Sequence, residues 1–206
     1  LAGITVPVEY GGAGAGYTEL CIVTEELAAV CLSTAASWGT HANLCLDNIR
    51  RNANEEQLKK YLPSLCRGEK IGGLAMTEPS SGSDVMSMRL RADRKGDEYI
   101  LNGSKIFISN GPVGDIFVVY AKTDMEKKAH GVFAFIIEKE FPGFSRGKKF
   151  EKMGWRGSPT GELIFEDCRV PAGNLLGREN KGALVLMSGL NTERVCLGAM
   201  SLGLAR

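Results

Sequence analysis

From residue 69 to residue 175 no stretch long enough for a helix carries a helical apolar repeat. The segment holds short β-rich runs at 99–101, 105–108, 116–120, 132–137 and 162–165, separated by turn-forming residues. Runs of β-branched and aromatic residues bounded in this way read as strands. Parallel neighbours need a crossover of about a dozen residues or more, usually helical, and no such helix lies between these runs. The expectation is therefore antiparallel pairing in a barrel or sandwich, not a βαβ sheet. Asn102-Gly103 falls between two of the runs and reads as a type I′ hairpin turn, because that pair tolerates positive φ.

The flanks have a different period. From Thr18 onward Leu20, Val23, Leu27 and Val30 recur at helical spacing, and a second helix is expected over 34–50 with Trp38, Ala42, Cys45 and Ile49 on one side. Asn54 opens a third: its side chain and that of Gln57 can each satisfy an orphan N–H of the first turn, and Pro63 and Gly68 bracket the end. The glycine-rich run 11–16 has no strand before it and no βαβ unit after it, so it reads as a connecting loop and not a dinucleotide fingerprint. Beyond about residue 179 Leu186, Leu190, Cys196, Leu197, Met200 and Leu204 fall on one stripe, whose only partners within the chain are the first three helices. The expected fold is α+β in three parts: a helical region over 1–68, an antiparallel β-barrel over 69–175, and the start of a C-terminal helical bundle over 176–206.

Charge and composition exclude several functions. The chain has 25 Lys+Arg against 24 Asp+Glu, a net charge of +1, which argues against an electrostatic nucleic-acid binder or a polybasic membrane surface. No apolar run reaches the roughly 18 residues of a membrane span. Six Cys with no C-x-x-C pair, and two His, argue against a disulfide framework and a metal site and favour a reducing compartment. Both termini read as cut, since the chain opens on Leu1 and stops at Arg206 inside a helical pattern, so no targeting segment is expected in view.

Two features carry chemistry. The segment 74–84, Leu-Ala-Met-Thr-Glu-Pro-Ser-Ser-Gly-Ser-Asp, crowds hydroxyls and backbone donors into one turn. Such a loop either lies in solvent or offers N–H and O–H groups to a heteroaromatic ring or a phosphate. Glu193 sits in the middle of the last apolar stripe, with Leu186, Gly189, Leu190, Cys196, Leu197 and Met200 three, four and seven positions away. A carboxylate so placed is either a buried ion-pair partner or a base whose pKa burial has raised. Trp38 and Trp155 read as packing residues, and the cluster Glu126-Lys127-Lys128 as a solvated turn.

The run Ala75-Met76-Thr77-Glu78-Pro79-Ser80-Ser81-Gly82-Ser83-Asp84 closely resembles the signature of the acyl-CoA dehydrogenase family. Pro7-Val8-Glu9-Tyr10-Gly11-Gly12, Lys60-Tyr61-Leu62-Pro63, Leu101-Asn102-Gly103-Ser104-Lys105, Ser109-Asn110-Gly111 and Gly154-Trp155-Arg156-Gly157-Ser158 follow in the family's order. The isovaleryl-type branch is the most similar, on His41-Ala42-Asn43-Leu44-Cys45, the run 162–168 and Leu186-Met187-Ser188-Gly189-Leu190.

The resemblance implies helices, a middle β-barrel and a C-terminal bundle lying largely outside this chain. It implies FAD, lined by Leu74, Ala75, Met76, Thr77, Ser81, Gly82 and Ser83, and by Phe107, Ile108 and Ser109 where the family has Trp-Ile-Thr. It implies acyl-CoA contacts from Ser83, Ala129, His130, Leu184, Asn191, Thr192 and Arg194, and makes Glu193 the catalytic base. It further implies electron-transfer flavoprotein as acceptor, a homotetramer, no nucleic-acid or membrane partner, and a mitochondrial matrix or bacterial cytoplasmic setting. The isovaleryl-type branch has Tyr at Leu184, Asp at Asn191 and a Ser-Arg pair at Ala129-His130. The implied substrate is a short branched acyl-CoA. A straight or dicarboxylyl short chain, an oxidase, and a flavin-binding or interaction protein without dehydrogenase activity stay open.

Overall fold

The computed structural model describes all residues, 1–206. Helix α1 spans Tyr17–Val30 and α2 spans Leu32–Gly39; a π-helical stretch, Thr40–Leu46, continues into α3, Asp47–Asn52. Helix α4 spans Glu55–Cys66. Its start is the expected capping box: Gln57 N donates to Asn54 Oδ1 at 2.9 Å and Asn54 N donates to Gln57 Oε1 at 3.1 Å. Pro63 does not end this helix but lies in its last turn. The glycine-rich run connects α1 to the short turn before it, as expected of a loop.

Strands β1 to β8 follow: Gly72–Ala75, Arg91–Lys95, Glu98–Ser109, Ile116–Lys122, Val132–Glu138, Phe144–Lys149, Thr160–Pro171 and Leu175–Leu176. They form one eight-stranded sheet ordered β6-β7-β3-β2-β4-β5-β8, with β1 beside β4. Pairing is antiparallel except where β1 runs parallel to β4, over four residue pairs, and at one β2/β4 pair. Strand β1 was hidden in the sequence because two of its four residues are glycine, and glycine weakens a strand pattern.

The expected hairpin turn at Asn102-Gly103 is not there. Both residues lie inside the continuous strand β3, and the hairpin joins β2 to β3 across Gly96-Asp97, with Gly96 at φ 60°. Asn102-Gly103 instead sits at a register shift against β7. The Asn102 side chain spans that bulge, its Nδ2 donating to Asp167 Oδ1 at 3.1 Å and its Oδ1 accepting from Asp167 N at 2.8 Å. A positive-φ glycine serves a bulge as well as a turn, so the dipeptide alone could not choose.

The alternation of β4 and β5 explains the architecture. Phe117, Val119, Ala121, Phe133, Phe135 and Ile137 face an inner core shared with Tyr99, Leu101, Leu163 and Phe165. Ile116, Val118, Tyr120, Val132, Ala134 and Ile136 face a second core with Cys45, Ile49, Leu62 and Leu65 of the helices. Strands covered on both faces read as unbroken apolar runs, which is why these two were legible.

Helix α5, Gly182–Ala205, lies on α1 and β5. The expected stripe is divided: Leu186, Cys196 and Met200 are buried, whereas Leu197 and Leu204 are 42% and 62% exposed. On α1 the buried line is Leu20, Thr24 and Ala28, and Val30 of the expected stripe is 89% exposed. Small residues are required there because the helices approach closely: a Cβ at Gly203 would stand 2.1 Å from the Glu25 carbonyl oxygen. Gly203→Ala is expected to cost about 1–3 kcal/mol by overpacking, measurable as a lower Tm of the full-length protein.

Candidate active site

Helix α5 carries Glu193 into a cavity of about 590 Å³, part of it open to solvent. Ala36, Gly39, Leu44, Cys196, Leu197 and Met200 give it mostly apolar walls, and Thr40, Asn43, Ser109 and Trp155 supply polar groups and an aromatic rim. Burial pushes the Glu193 carboxyl above its usual 4.5, against a weaker downward pull from Arg194. No ion pair neutralises Glu193. The helix is held by Arg51 of α3, whose Nη1 donates to Thr192 Oγ1 at 3.4 Å, next to Glu193 in the chain, and whose Nη2 donates to the Ser188 carbonyl further back along it. Arg51 is itself anchored to the buried Asp47. A half-buried carboxylate with a raised pKa and no cation to pair with has the properties of a general base.

The opposite wall comes from the π-helical stretch. Thr40, Asn43 and Leu44 reach the cavity from it, and Asn43 is 6% exposed with no hydrogen bond from its side chain to the protein. π-Bulges within helices recur at functional sites. Sequence reading missed these three, because a π stretch shifts side chains off the 3.6-residue face. It also placed Trp155 among packing residues. The structure puts Trp155 at the cavity mouth, 46% exposed, with φ 53°.

Strand β3 reaches the site through a second irregularity. Its register against β7 shifts between Lys105 and Ile108, and Phe107 takes φ 60°. A non-glycine residue at positive φ is held there by its surroundings. The result is a phenyl ring 64% exposed, 5.4 Å from the Phe150 ring, beside the half-buried Ser109 hydroxyl in the Glu193 cavity. Ile108 points the other way, into the inner core, as does Ala75.

The loop after β1 is tied down from below. Lys105 is fully buried; its Nζ lies 2.8 Å from Glu78 Oε1 and donates to the Met76 carbonyl at 2.9 Å. Glu78 also accepts from Arg89 N at 2.5 Å and Leu90 N at 2.9 Å. Burial pulls the Lys105 ammonium down to about 8 against the upward pull of Glu78. Ser81 is spent internally, donating to the Asp84 carbonyl at 2.5 Å. Thr77 and Ser83 make no side-chain hydrogen bond within the protein, so their hydroxyls are available to a ligand, Ser83 from an exposed position. An exposed aromatic ring on β3 and free hydroxyls in the loop after β1, which Ile106 N of β3 meets at the Thr77 carbonyl, suit the edge and face of a flavin. Of the other expected contacts, His130, Leu184, Asn191 and Arg194 are exposed and Ala129 and Thr192 half-buried. His41 is structural: its Nδ1 accepts from Gly72 N at 2.8 Å and its Nε2 meets the Leu65 carbonyl at 3.1 Å. All six cysteines are free, and no cluster of metal-binding side chains occurs.

Residues 1–69 match the family profile for the acyl-CoA dehydrogenase N-terminal domain, and residues 73–168 the one for the acyl-CoA dehydrogenase middle domain. The chain belongs to the acyl-CoA dehydrogenase family. Members of this family are FAD-dependent oxidoreductases. The chain is 56% identical over 204 residues to a mitochondrial isovaleryl-CoA dehydrogenase of Pongo abelii, covering 98% of this chain and 48% of that protein. It is 51% identical to a mitochondrial 2-methylacyl-CoA dehydrogenase of Solanum tuberosum, covering 99% and 50%. The fold superposes on butyryl-CoA dehydrogenase from Megasphaera elsdenii with a TM-score of 0.95 at 40% identity, covering 98% of this chain and 54% of that one. The chain thus spans about half the length of the curated relatives it matches. No helix is long and apolar enough to cross a membrane.

Proposed function

We propose that the protein containing this chain uses FAD to dehydrogenate a short, branched acyl-CoA of the isovaleryl type to its 2-enoyl-CoA, with Glu193 as the base. The observation that carries this is the Glu193 carboxylate: unpaired, raised by burial, and facing the same cavity as Ser109 of the bulged strand. FAD, when bound, supplies the hydride acceptor. Phe107, Thr77 and Ser109, with the backbone of 74–77, would hold it, and Ser83 would meet the thioester substrate. The apolar walls exclude water from the acyl chain and keep the carboxylate basic. Glu193 Oε takes the α-proton, which needs the substrate fixed within hydrogen-bond reach of that oxygen.

Branched chains are favoured because isovaleryl and 2-methylacyl enzymes stand among the relatives. Electrons would pass on to an electron-transfer flavoprotein. The full-length protein would be a homotetramer, and the exposed apolar residues Leu184, Val195, Leu202 and Leu204 on α5 suit burial by further helices. The setting would be mitochondrial or bacterial cytoplasmic, following the relatives. Anaerobic titration of the full-length holoenzyme tests the reading. Isovaleryl-CoA is expected to bleach the flavin faster than butyryl-CoA or glutaryl-CoA. Faster bleaching by a straight chain overturns the branched assignment, and no bleaching by any of the three overturns the dehydrogenase.

A further inference from the structure

Cys21 of α1 and Cys196 of α5 are 175 positions apart in the chain, and their sulfurs stand 4.0 Å from each other. Among the six free cysteines this is the one sulfur–sulfur contact. Contacts advance together along the two helices, Cys21 with Cys196 and Ala28 with Gly203, so α1 and α5 run parallel. Ala28 and Gly203 lie seven residues on from the two cysteines, which is about two helical turns and the same face of each helix. A Cβ at Gly203 would stand 3.0 Å from the Ala28 Cβ. Disulfide partners need Cβ atoms about 3.5–4.5 Å apart, so helices this close at 28 and 203 hold positions 21 and 196 within reach of a bridge.

The thiols sit in a small apolar cluster with Ile4, Leu20 and Trp38. Cys196 is buried and Cys21 half-buried. Burial, with Cys21, Asp47 and Glu193 close by, pushes the Cys196 thiol up to about 12. Cys196 is therefore the inert member, and Cys21 is the one that an outside reagent meets first. Cys196 also forms part of the Glu193 cavity wall, one helical turn beyond the carboxylate on the same face.

We propose that Cys21 and Cys196 form a reversible disulfide that fastens α5 to α1 and slows proton abstraction at Glu193, the oxidant being a low-molecular-weight disulfide such as oxidised glutathione. The Cys21 thiolate attacks one sulfur of the small disulfide, whose S–S bond breaks and releases one thiol. The Cys196 thiolate then attacks the Cys21 sulfur of the mixed disulfide and releases the second thiol. Two protein thiols are oxidised, one small disulfide is reduced, and the two protons end on the released thiols. The sulfurs must close from 4.0 Å to about 2.0 Å, which draws α5 towards α1. Glu193, one turn away, moves with the helix, and a misplacement of roughly 1 Å costs on the order of 10²-fold. The bridge is independent of the acyl-CoA reading above; its effect on turnover rests on that reading.

The test incubates the full-length holoenzyme with oxidised glutathione, alkylates the remaining thiols and maps the digested peptides without reduction. A linked Cys21–Cys196 peptide is expected. Isovaleryl-CoA is expected to reduce the flavin of the bridged enzyme about ten- to a hundredfold more slowly than that of the reduced enzyme, and dithiothreitol to restore the rate. The Tm of the bridged form should rise, because the crosslink restricts the unfolded chain. Cys21→Ala is expected to reduce its flavin at the rate of the reduced wild type and to lose all response to oxidised glutathione, which separates the pair from the exposed Cys31. Recovery of Cys21 and Cys196 as alkylated thiols, or of Cys21 only as its glutathione adduct, overturns the bridge. A bridged enzyme that reduces its flavin at the unbridged rate overturns the switch. So does a loss of rate that persists in Cys21→Ala, since another cysteine then carries it. If isovaleryl-CoA does not bleach even the reduced wild type, the dehydrogenase reading fails and the switch with it, while the peptide map still decides the bridge.

Discussion

Glu193→Gln in the full-length holoenzyme is expected to retain FAD and acyl-CoA but to lose flavin reduction by about 10²–10⁴-fold. The amide keeps the shape and packing of the carboxylate on α5 but cannot accept the α-proton. Glu193→Asp keeps the carboxylate and withdraws it by one methylene, a displacement of roughly 1 Å that is expected to cost on the order of 10²-fold. In the wild type the reductive rate should rise with pH through an apparent pKa above the usual 4.5, because burial raises this carboxyl and only its ionised form is a base. Stability moves the opposite way. A carboxyl whose folded pKa is raised binds its proton more tightly in the native state, so its contribution falls as pH climbs from about 4.5 through the raised value. Glu193→Gln should remove both dependences. If Glu193 were only a structural partner, the variant would melt earlier and reduce its flavin at the wild-type rate, and Tm with anaerobic stopped-flow on the same sample separates the two.

Lys105→Met is expected to destabilise the protein by about 3–5 kcal/mol, the usual consequence of leaving one member of a buried ion pair without the other. The substitution strands the Glu78 carboxylate, which is 5% exposed and keeps only the Arg89 and Leu90 amides. It also frees the Met76 carbonyl, which now accepts from Lys105 Nζ at 2.9 Å. That carbonyl belongs to the first turn of the 74–84 loop, so the variant should also shed FAD more readily on gel filtration. Replacing Glu78 by Gln in the same chain should recover part of the lost Tm, and the double-mutant cycle isolates the pair. A Lys105→Met protein that melts with wild type and holds its FAD would show that the loop is fixed by other contacts.

What could be read from the chain followed from local chemistry. The Asn54–Gln57 capping box needs only residues three apart, and it formed as read. Strands β4 and β5 were visible because burial on both faces makes them apolar throughout. The 74–84 run and Glu193 were legible because a short motif and one carboxylate in an apolar stripe carry their own signal.

Tertiary structure decided the rest. Asn102-Gly103 permits a turn or a bulge, and only the pairing of β3 with β7 selects the bulge, since a neighbouring strand must be present to set the register. The parallel β1/β4 contact is equally non-local. The walls opposite Glu193 come from a π-helical stretch and a positive-φ Trp155, whose directions depend on the packing around them. Lys105 and Glu78 stand 27 positions apart; their burial as a pair is a property of distance and solvent exclusion, which exist only once the chain has folded.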